Sequence, residues 1–267
     1  MTTAGELEAL LPDVIELAHR AGSAILEVYN RAAGYDIEDK ADNSPLTTAD
    51  IASHEIIDAG LRSLRPDLPI LSEESAEIAF SERASWHTYW LVDPLDGTRE
   101  FIKRNGEFTV NIALVDDGVP VLGVVHAPVI DTDYYAARGS GAWKRVGDAP
   151  AEAIGVAPVA GERVRVAGSR SHAGERLAAF LDRLGPHELR PMGSSLKSCL
   201  VAEGAADLYP RLGPTSEWDT AAAQAVVEAA GGQVTDTAMR PLRYNQDESL
   251  LNPDFLVFGD ASPRRLE

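Results

Sequence analysis

Cysteine is almost absent from this 267-residue sequence, in which Cys199 is the only one. A single thiol cannot form a disulfide within the chain, which fits a reducing compartment. The sequence also lacks a run of about 18 apolar residues, and no basic stretch followed by an apolar one opens it. Neither a transmembrane helix nor a secretory signal is predicted. We therefore expect a cytoplasmic protein, with peripheral membrane association left open.

Basic residues are also scarce: 24 lysines and arginines stand against 42 aspartates and glutamates, for a formal net charge of −18. This negative field repels nucleic-acid polymers and anionic membrane surfaces, so neither is an expected partner. It repels small anionic substrates as well. An enzyme with such a substrate would need metal cations, or lysines and arginines gathered at one cleft.

The hydrophobic pattern of the first half predicts two helices followed by a sheet. The composition, 45% hydrophobic and 25% charged, is that of a globular protein with one large domain or two moderate ones. Thr47, Thr48 or Asp50 would cap the second helix. The predicted elements are helices over 6–31 and 51–64, and strands at 70–72, 90–92, 109–115 and 121–127 with a turn at 116–118.

The second half continues the alternation after a segment rich in Pro, Gly and Ala, residues 146–162, which we interpret as the boundary between two lobes, 1–150 and 151–267. The pattern predicts a layered α/β or α+β protein. The further predicted elements are strands at 164–167, 207–209 and 255–258, and helices at 175–184, 196–203 and 219–230.

Paired carboxylates end the apolar run in WLVDPLDGTREF, where Asp93 and Asp96 follow Leu91 and Val92. Two unpaired carboxylates at the end of a buried strand would each cost several kcal/mol, so a positive charge is expected beside them. A plain turn is the alternative, since Asp-Pro and Asp-Gly are common turn pairs.

Two further acidic features favour a metal site over a turn. Glu73-Glu74 ends the ILSEE strand signal, and Trp218-Asp219 opens an Ala-rich helix far downstream. Carboxylates without histidine suit Mg²⁺, which completes its coordination with water and substrate phosphate. Gly97 would let the backbone approach a bound anion closely, and Thr98 adds a hydroxyl that could orient a water.

These motifs resemble a known family. S-E-E, D-P-L-D-G-T and W-D-T-A-A together are similar to the signature set of the magnesium-dependent, lithium-sensitive phosphatases of the inositol monophosphatase superfamily. The resemblance covers nearly the whole chain. It implies a layered αβαβα sandwich of the inositol monophosphatase and fructose-1,6-bisphosphatase type. The amino-terminal lobe would carry most metal ligands, and the carboxyl-terminal lobe the nucleotide-binding residues and Asp219.

The resemblance also implies a metal centre of two or three magnesium ions. Glu73, Asp93 and the carbonyl of Leu95 would bind one ion, and Asp93, Asp96 and Asp219 a second. Asp50 and Thr98 would activate a water held by Glu73 and the first ion, so these three residues are the expected catalytic set. Glu74 is left open, because adjacent residues of a strand point in opposite directions.

Within this superfamily, four segments look most like bacterial 3′(2′),5′-bisphosphate nucleotidases: NGEFTVNIAL, SRSH, GSSLKSCLVAEG and YPRLGPTSEWDTAA. Arg170 and Arg211 are open candidates for phosphate contacts. Lys197 would neutralise a second phosphate, and His172 would lie near a base or ribose. The substrate-binding residues that the resemblance implies are Asp96, Gly97, Thr98, Ser169, His172, Gly193, Lys197 and Asp219.

The activity that the resemblance implies is removal of the 3′-phosphate of adenosine 3′,5′-bisphosphate (PAP) to give AMP and phosphate. Conversion of its sulfonylated relative PAPS to APS is a further expectation. Both reactions would belong to sulfur assimilation. An inositol or sugar phosphatase with the same metal centre is the first alternative. A non-catalytic protein that binds phosphorylated metabolites is the second, and the water-activating pair Asp50 and Thr98 argues against it. The sequence leaves the oligomeric state open.

Overall fold

A computed structural model describes residues 2–31, 37–39, 45–158, 163–168 and 174–259. No helix in these ranges is long and apolar enough to cross a membrane. Among the predicted site residues, Ser169, Arg170 and His172 lie outside the described residues.

Two capped helices cover one face of the molecule. Helix α1, Ala4–Tyr29, begins at a capping box in which Thr3 and Glu6 bond each other's backbone, and its apolar stripe is buried. Helix α2, Thr48–Leu64, begins after Thr47, one of its three predicted caps. Both predicted helices are confirmed.

A seven-stranded sheet lies beneath these helices. Its strand order follows the chain from β3 to β9, with β3 and β4 parallel and every other pair antiparallel. The four strands predicted in the first half are confirmed here. The strands are β3 Ile70–Ser72, β4 Thr88–Asp96, β5 Thr109–Asp116, β6 Val119–Ala127, β7 Thr132–Ala137, β8 Gly141–Val146 and β9 Glu152–Ile154. A separate pair comprises β1 Ile37–Asp39 and β2 Pro45–Thr47.

A mixed five-stranded sheet forms the second half, in the order β11-β10-β12-β14-β13. The predicted strands near 164, 208 and 255 and the three predicted helices are confirmed, whereas β11 and β13 were not predicted. The strands are β10 Val164–Gly168, β11 His187–Pro191, β12 Leu208–Arg211, β13 Gln233–Asp236 and β14 Phe255–Phe258. The remaining helices are α3 Phe80–Arg83, α4 Thr98–Ile102, α5 Glu175–Leu184, α6 Leu196–Ala202 and α7 Ala221–Ala229.

Three buried clusters define the layers. One fills the space between α1, α2 and the seven-stranded sheet, the second joins α6 and α7 to both sheets, and the third packs α5 on the outer face of the five-stranded sheet. The predicted αβαβα layering is therefore confirmed. The division after residue 150 stays a prediction, since β9 extends the first sheet to Ile154.

Helix α7 packs unusually close to the seven-stranded sheet. A Cβ atom built on Gly123 of β6 would lie 2.2 Å from the carbonyl oxygen of Ala222 and 2.9 Å from the Cβ of Ala225. Only glycine fits at this crossing, and small residues on both elements set the distance of α7 from the sheet.

A polar network ties α1 to strands β6, β7 and β8 of the same sheet. Asp133 on β7 is buried and accepts hydrogen bonds from His126 at 2.7 Å and Arg145 at 2.7 Å. His19 on α1 contacts the same carboxylate at 2.9 Å, and this bond raises the pKa of His19. The pKa of Asp133 is well below its usual value, because these three partners outweigh the effect of its burial.

Candidate active site

A break in strand pairing brings Asp93 and Asp96 together. Asp93 pairs with Asn111 of β5 and Asp96 with Thr109, so β4 has one residue more than its partner over this interval. In a regular strand, residues three apart face opposite sides, and the extra residue of a bulge corrects this. Carboxylate oxygens of Asp93, Asp96 and Asp219 consequently lie within 4.8 Å of one another.

The charges in this cluster repel one another. Burial raises the pKa of Asp93 well above its usual value, and the nearby Glu73, Asp96 and Asp219 raise it further. Burial also raises the pKa of Asp219 to about 8, with Asp96 and Glu73 as further causes. The structure thus brings together four predicted ligands, Glu73, Asp93, Asp96 and Asp219.

The donor set fits a hard divalent cation. In the described part of the chain, Asp93, Asp96 and Asp219 have no lysine, arginine or histidine at ion-pair distance. These three carboxylates therefore lack a counter-ion at that distance among the described residues, and an oxygen atom of each lies close to those of the other two. This combination suits Mg²⁺.

Asp50 and Thr98 meet beside the cluster, as predicted. The Thr98 hydroxyl donates to Asp50 Oδ1 at 3.3 Å. The other carboxylate oxygen of Asp50 accepts from the backbone N–H of Thr47 at 2.8 Å and from its hydroxyl at 2.6 Å, as the capping box of α2. One oxygen of Asp50 thus stabilises the helix and the other faces Thr98. Gly97, with φ at +94°, provides the left-handed turn between Asp96 and Thr98.

Two bonds brace the segment that carries the predicted Leu95 carbonyl ligand. Ser53 on α2 is buried and donates to the carbonyl of Pro94 at 2.7 Å. The N–H of Leu95 donates to Asp93 Oδ1 at 3.0 Å. The backbone at Leu95 is therefore fixed from both sides before any ligand binds.

The second half of the chain contributes a buried cation. Lys197 on α6 is 8% exposed, donates from Nζ to the carbonyl of Ser194 at 2.6 Å and lies over the ring of Tyr209. Burial lowers its pKa, while the charges of Asp96 and Asp219 oppose that effect. Gly193 leaves no room for a larger side chain, since a Cβ there would lie 2.7 Å from the carbonyl oxygen of Glu107.

A cleft of about 190 Å³ lies between these groups. Its lining residues include Asp96, Gly97, Gly193, Lys197 and Asp219 from the predicted set, together with the unpredicted Arg99, Lys103 and Tyr209. Carboxylates and cationic side chains thus line the same cleft.

Two sequence arguments need revision. The reasoning about Glu74 assumed a strand, but β3 ends at Ser72 and Glu73–Ser75 is a 3₁₀ turn, so strand alternation does not decide where Glu74 points. Arg211 lines the cleft, yet its Nη2 donates to the carbonyl of Pro214 at 2.6 Å and its Nε to Thr215. The guanidinium therefore already braces the 211–215 loop.

Two site residues escaped sequence analysis, Asn111 and Ser195. Both are buried and hydrogen-bonded around Asp96. The signal for Asn111 was present in TVNIAL, where a single amide interrupts an apolar strand. Ser195 precedes a predicted helix, which it could cap or where it could offer its amide to an anion, but its partners Asp96 and Asn111 lie far away in the sequence.

Comparison with known proteins matches this geometry to one family. The model of the inositol monophosphatase family matches residues 6–258. A relative from Escherichia coli (strain K12), called 3′(2′),5′-bisphosphate nucleotidase CysQ, is 54% identical over 93% of this chain and 99% of its own length. A protein of the same name from Buchnera aphidicola is 43% identical over 92% of each chain.

Solved structures agree. CysQ from Bacteroides thetaiotaomicron, described as a bacterial member of the inositol monophosphatase family, has a TM-score of 0.81 and 43% identity, covering 94% of this chain and 97% of its own. An IMPase from Thermotoga maritima has a TM-score of 0.76 and 26% identity, covering 96% and 94%. The resemblance seen in the motifs is confirmed: this chain belongs to the inositol monophosphatase family.

Proposed function

We propose that this protein is a 3′(2′),5′-bisphosphate nucleotidase that hydrolyses the 3′-phosphate of PAP to give AMP and phosphate. Relatives with this name share 54% of their residues with the chain over almost their full length. The observation that carries the proposal is the cleft itself, which Asp96 and Asp219 of the carboxylate cluster line together with the buried Lys197. Such a cleft suits a substrate with two phosphates, one bound at the carboxylate cluster through metal ions and one bound by lysine and arginine side chains.

Two or three magnesium ions would be held by the carboxylates of Glu73, Asp93, Asp96 and Asp219 and by the carbonyl of Leu95. Bound there, the ions would neutralise the reacting phosphate, lower the pKa of the attacking water and stabilise the departing 3′-oxygen. The hard-oxygen donor set supports this assignment, as does the absence, among the described residues, of a lysine, arginine or histidine at ion-pair distance from Asp93, Asp96 and Asp219.

Asp50 and Thr98 would act on the attacking water. Because the Thr98 hydroxyl donates to Asp50, its lone pairs are directed away from the carboxylate and can accept a proton from that water. The proton would pass along this bond to Asp50, which cannot turn because Thr47 holds its other oxygen. Glu73 would hold the water in place, completing the catalytic set.

Substrate recognition would use both lobes. Asp96, Gly97, Thr98 and Asp219 would surround the reacting phosphate. Gly193 and Lys197 would contact the remainder of the nucleotide, with Lys197 neutralising the second phosphate. Ser169 and His172 keep their predicted roles near the ribose and base. We also propose conversion of PAPS to APS and a cytoplasmic place in sulfur assimilation.

Phosphate release from PAP, inositol 1-phosphate and fructose 1,6-bisphosphate, each with Mg²⁺ and with a chelator, tests the proposal. We expect magnesium-dependent release with a strong preference for PAP. A preference for inositol or sugar phosphate would retain the metal centre but reject the nucleotide pocket.

The Lys197→Met variant tests the pocket separately. It keeps the side-chain length and removes the charge, and we expect kcat/KM for PAP to fall by about 10- to 100-fold, the equivalent of a charged hydrogen bond. Lys144→Met is the matched control, because Lys144 pairs with Glu203 and is not among the residues that line the cleft. Equal losses in both variants would contradict the assigned role of Lys197.

A further inference from the structure

A buried polar chain crosses between the lobes next to Asp96. Ser195 donates to Asp96 Oδ2 from its backbone N–H at 2.6 Å, and its hydroxyl lies 2.7 Å from the same oxygen. Asn111 Nδ2 donates to the Ser195 hydroxyl at 2.9 Å and lies 3.4 Å from Asp96 Oδ2. Asn111 and Ser195 are 1% and 5% exposed, so water does not replace these bonds.

The orientation of Asn111 is itself fixed. Thr109 donates its hydroxyl to Asn111 Oδ1 at 3.0 Å, which leaves the amide nitrogen facing Ser195 and Asp96. The Thr109 hydroxyl also contacts Ser194 Oγ at 2.8 Å. Two residues of the first sheet therefore recognise two consecutive serines of the second lobe.

The Ser195 hydroxyl reaches Asp219 as well. Its oxygen lies 2.7 Å from the Asp219 carbonyl, so one side chain touches two segments that come from different lobes and carry predicted metal ligands. All the donors reach the same oxygen of Asp96, Oδ2. These bonds fix the position and the orientation of the Asp96 carboxylate. None of them involves its Oδ1.

We infer that Asn111 and Ser195 are positioning residues that hold Asp96 at the correct distance from Asp219 for cation binding. Neither is a predicted ligand. Hydrogen-bond partners of metal-binding carboxylates typically change metal affinity or activity by 10- to 100-fold when they are removed. The inference rests on the proposed magnesium-dependent function, because it concerns the same carboxylates.

The test is titration calorimetry of Mg²⁺ binding without substrate. Ser195→Ala removes the hydroxyl but keeps the backbone donor, and Asn111→Leu removes the amide at nearly constant volume. We expect each to bind Mg²⁺ at least about 10-fold more weakly than the wild type. With Mg²⁺ at saturation, KM for PAP should stay within twofold of the wild-type value, which separates positioning from substrate binding.

Thr132→Val provides the control. Thr132 is buried in β7 of the same sheet and donates to the carbonyl of Ile130, so this change also removes a buried hydroxyl, away from the cleft. We expect a lower Tm without a change in Mg²⁺ affinity. If Asn111→Leu does not fold, Ser195→Ala decides alone.

Mg²⁺ affinity in the folded variants within twofold of the wild type would overturn this inference and leave the proposed function intact. An equal loss of affinity in Thr132→Val would overturn it too, since the effect would then follow from general destabilisation. Absence of Mg²⁺ binding by the wild type would instead reject the proposed metal centre, and this inference with it.

Discussion

Replacing Gly123 by alanine should damage the active site from a distance. The new Cβ would lie 2.2 Å from the carbonyl oxygen of Ala222, an atom of the α7 backbone that no rotamer change can move. Restoring an ordinary contact of 3.4 Å, 1.2 Å longer than this, requires α7 and β6 to separate by about 1 Å or more. Overpacking of this kind costs about 1–3 kcal/mol of unfolding free energy.

The same displacement reaches the carboxylate cluster. Asp219 lies two residues before α7 begins, whereas Asp93 and Asp96 belong to the sheet from which α7 would be pushed. A misplacement of about 1 Å in a catalytic geometry can cost about 100-fold in rate. We therefore expect Gly123→Ala to lower kcat/KM by about that factor, beyond its effect on stability.

Urea unfolding and steady-state kinetics on PAP measure the two effects. Gly155→Ala is the matched control, since its Cβ would meet only the carbonyl oxygen of Ala230 at 3.7 Å, an ordinary contact. Gly123→Ala with kcat/KM within twofold of the wild type and a free energy of unfolding within about 0.5 kcal/mol would refute the reasoning. In that case, α7 would not need its close contact with β6.

Three further predictions concern charged groups. The bond to Asp133 raises the pKa of His19, so its stabilisation is complete below the ordinary value of 6.5 and is lost as pH rises through the raised pKa. His19→Gln should accordingly lose about 1 kcal/mol in urea unfolding at pH 5.5 and less at pH 8.5, and equal losses would contradict this. Asp93→Asn should abolish the rise in Tm on adding Mg²⁺. It should also raise the Tm of the metal-free protein, because it removes a buried carboxylate that three neighbouring carboxylates repel. An unchanged response to Mg²⁺ would reject Asp93 as a ligand. Asp50→Asn keeps an acceptor for Thr47 but removes the proton-accepting carboxylate, so kcat should fall by about 10²- to 10⁴-fold with Tm nearly unchanged. Asp50→Ala should also lose about 1 kcal/mol of unfolding free energy, because it removes the capping interaction of α2. Wild-type kcat in Asp50→Asn would exclude it as a proton acceptor.

The sequence predicted the elements that carry a strong periodic signal. Helix α1 shows apolar residues at helical spacing, and β5 and β6 are apolar runs on either side of an Asp-Gly turn. Strand β11 has four exposed residues out of five, so no hydrophobic alternation marks it. Its place in the sheet comes from parallel pairing with β10, a tertiary effect.

The candidate site likewise contains some residues that the sequence could identify and others that it could not. Asp93, Asp96 and Thr98 are close in sequence, so a motif can identify them together. The bond between Ser195 and Asp96 joins residues 99 positions apart, and the bond between Ser195 and Asn111 spans 84. Contacts of this kind depend on how the lobes pack, and local patterns do not encode that packing.

The carboxylate cluster can be completed only late in the synthesis of the chain. Glu73, Asp93 and Asp96 leave the ribosome well before Asp219, because protein chains emerge from their amino terminus and fold in that order. A nascent chain or a proteolytic fragment that ends before Asp219 has most of the acidic residues but lacks the carboxylate that closes the cluster. With the proposed metal centre, phosphatase activity therefore requires a chain synthesised at least through Asp219.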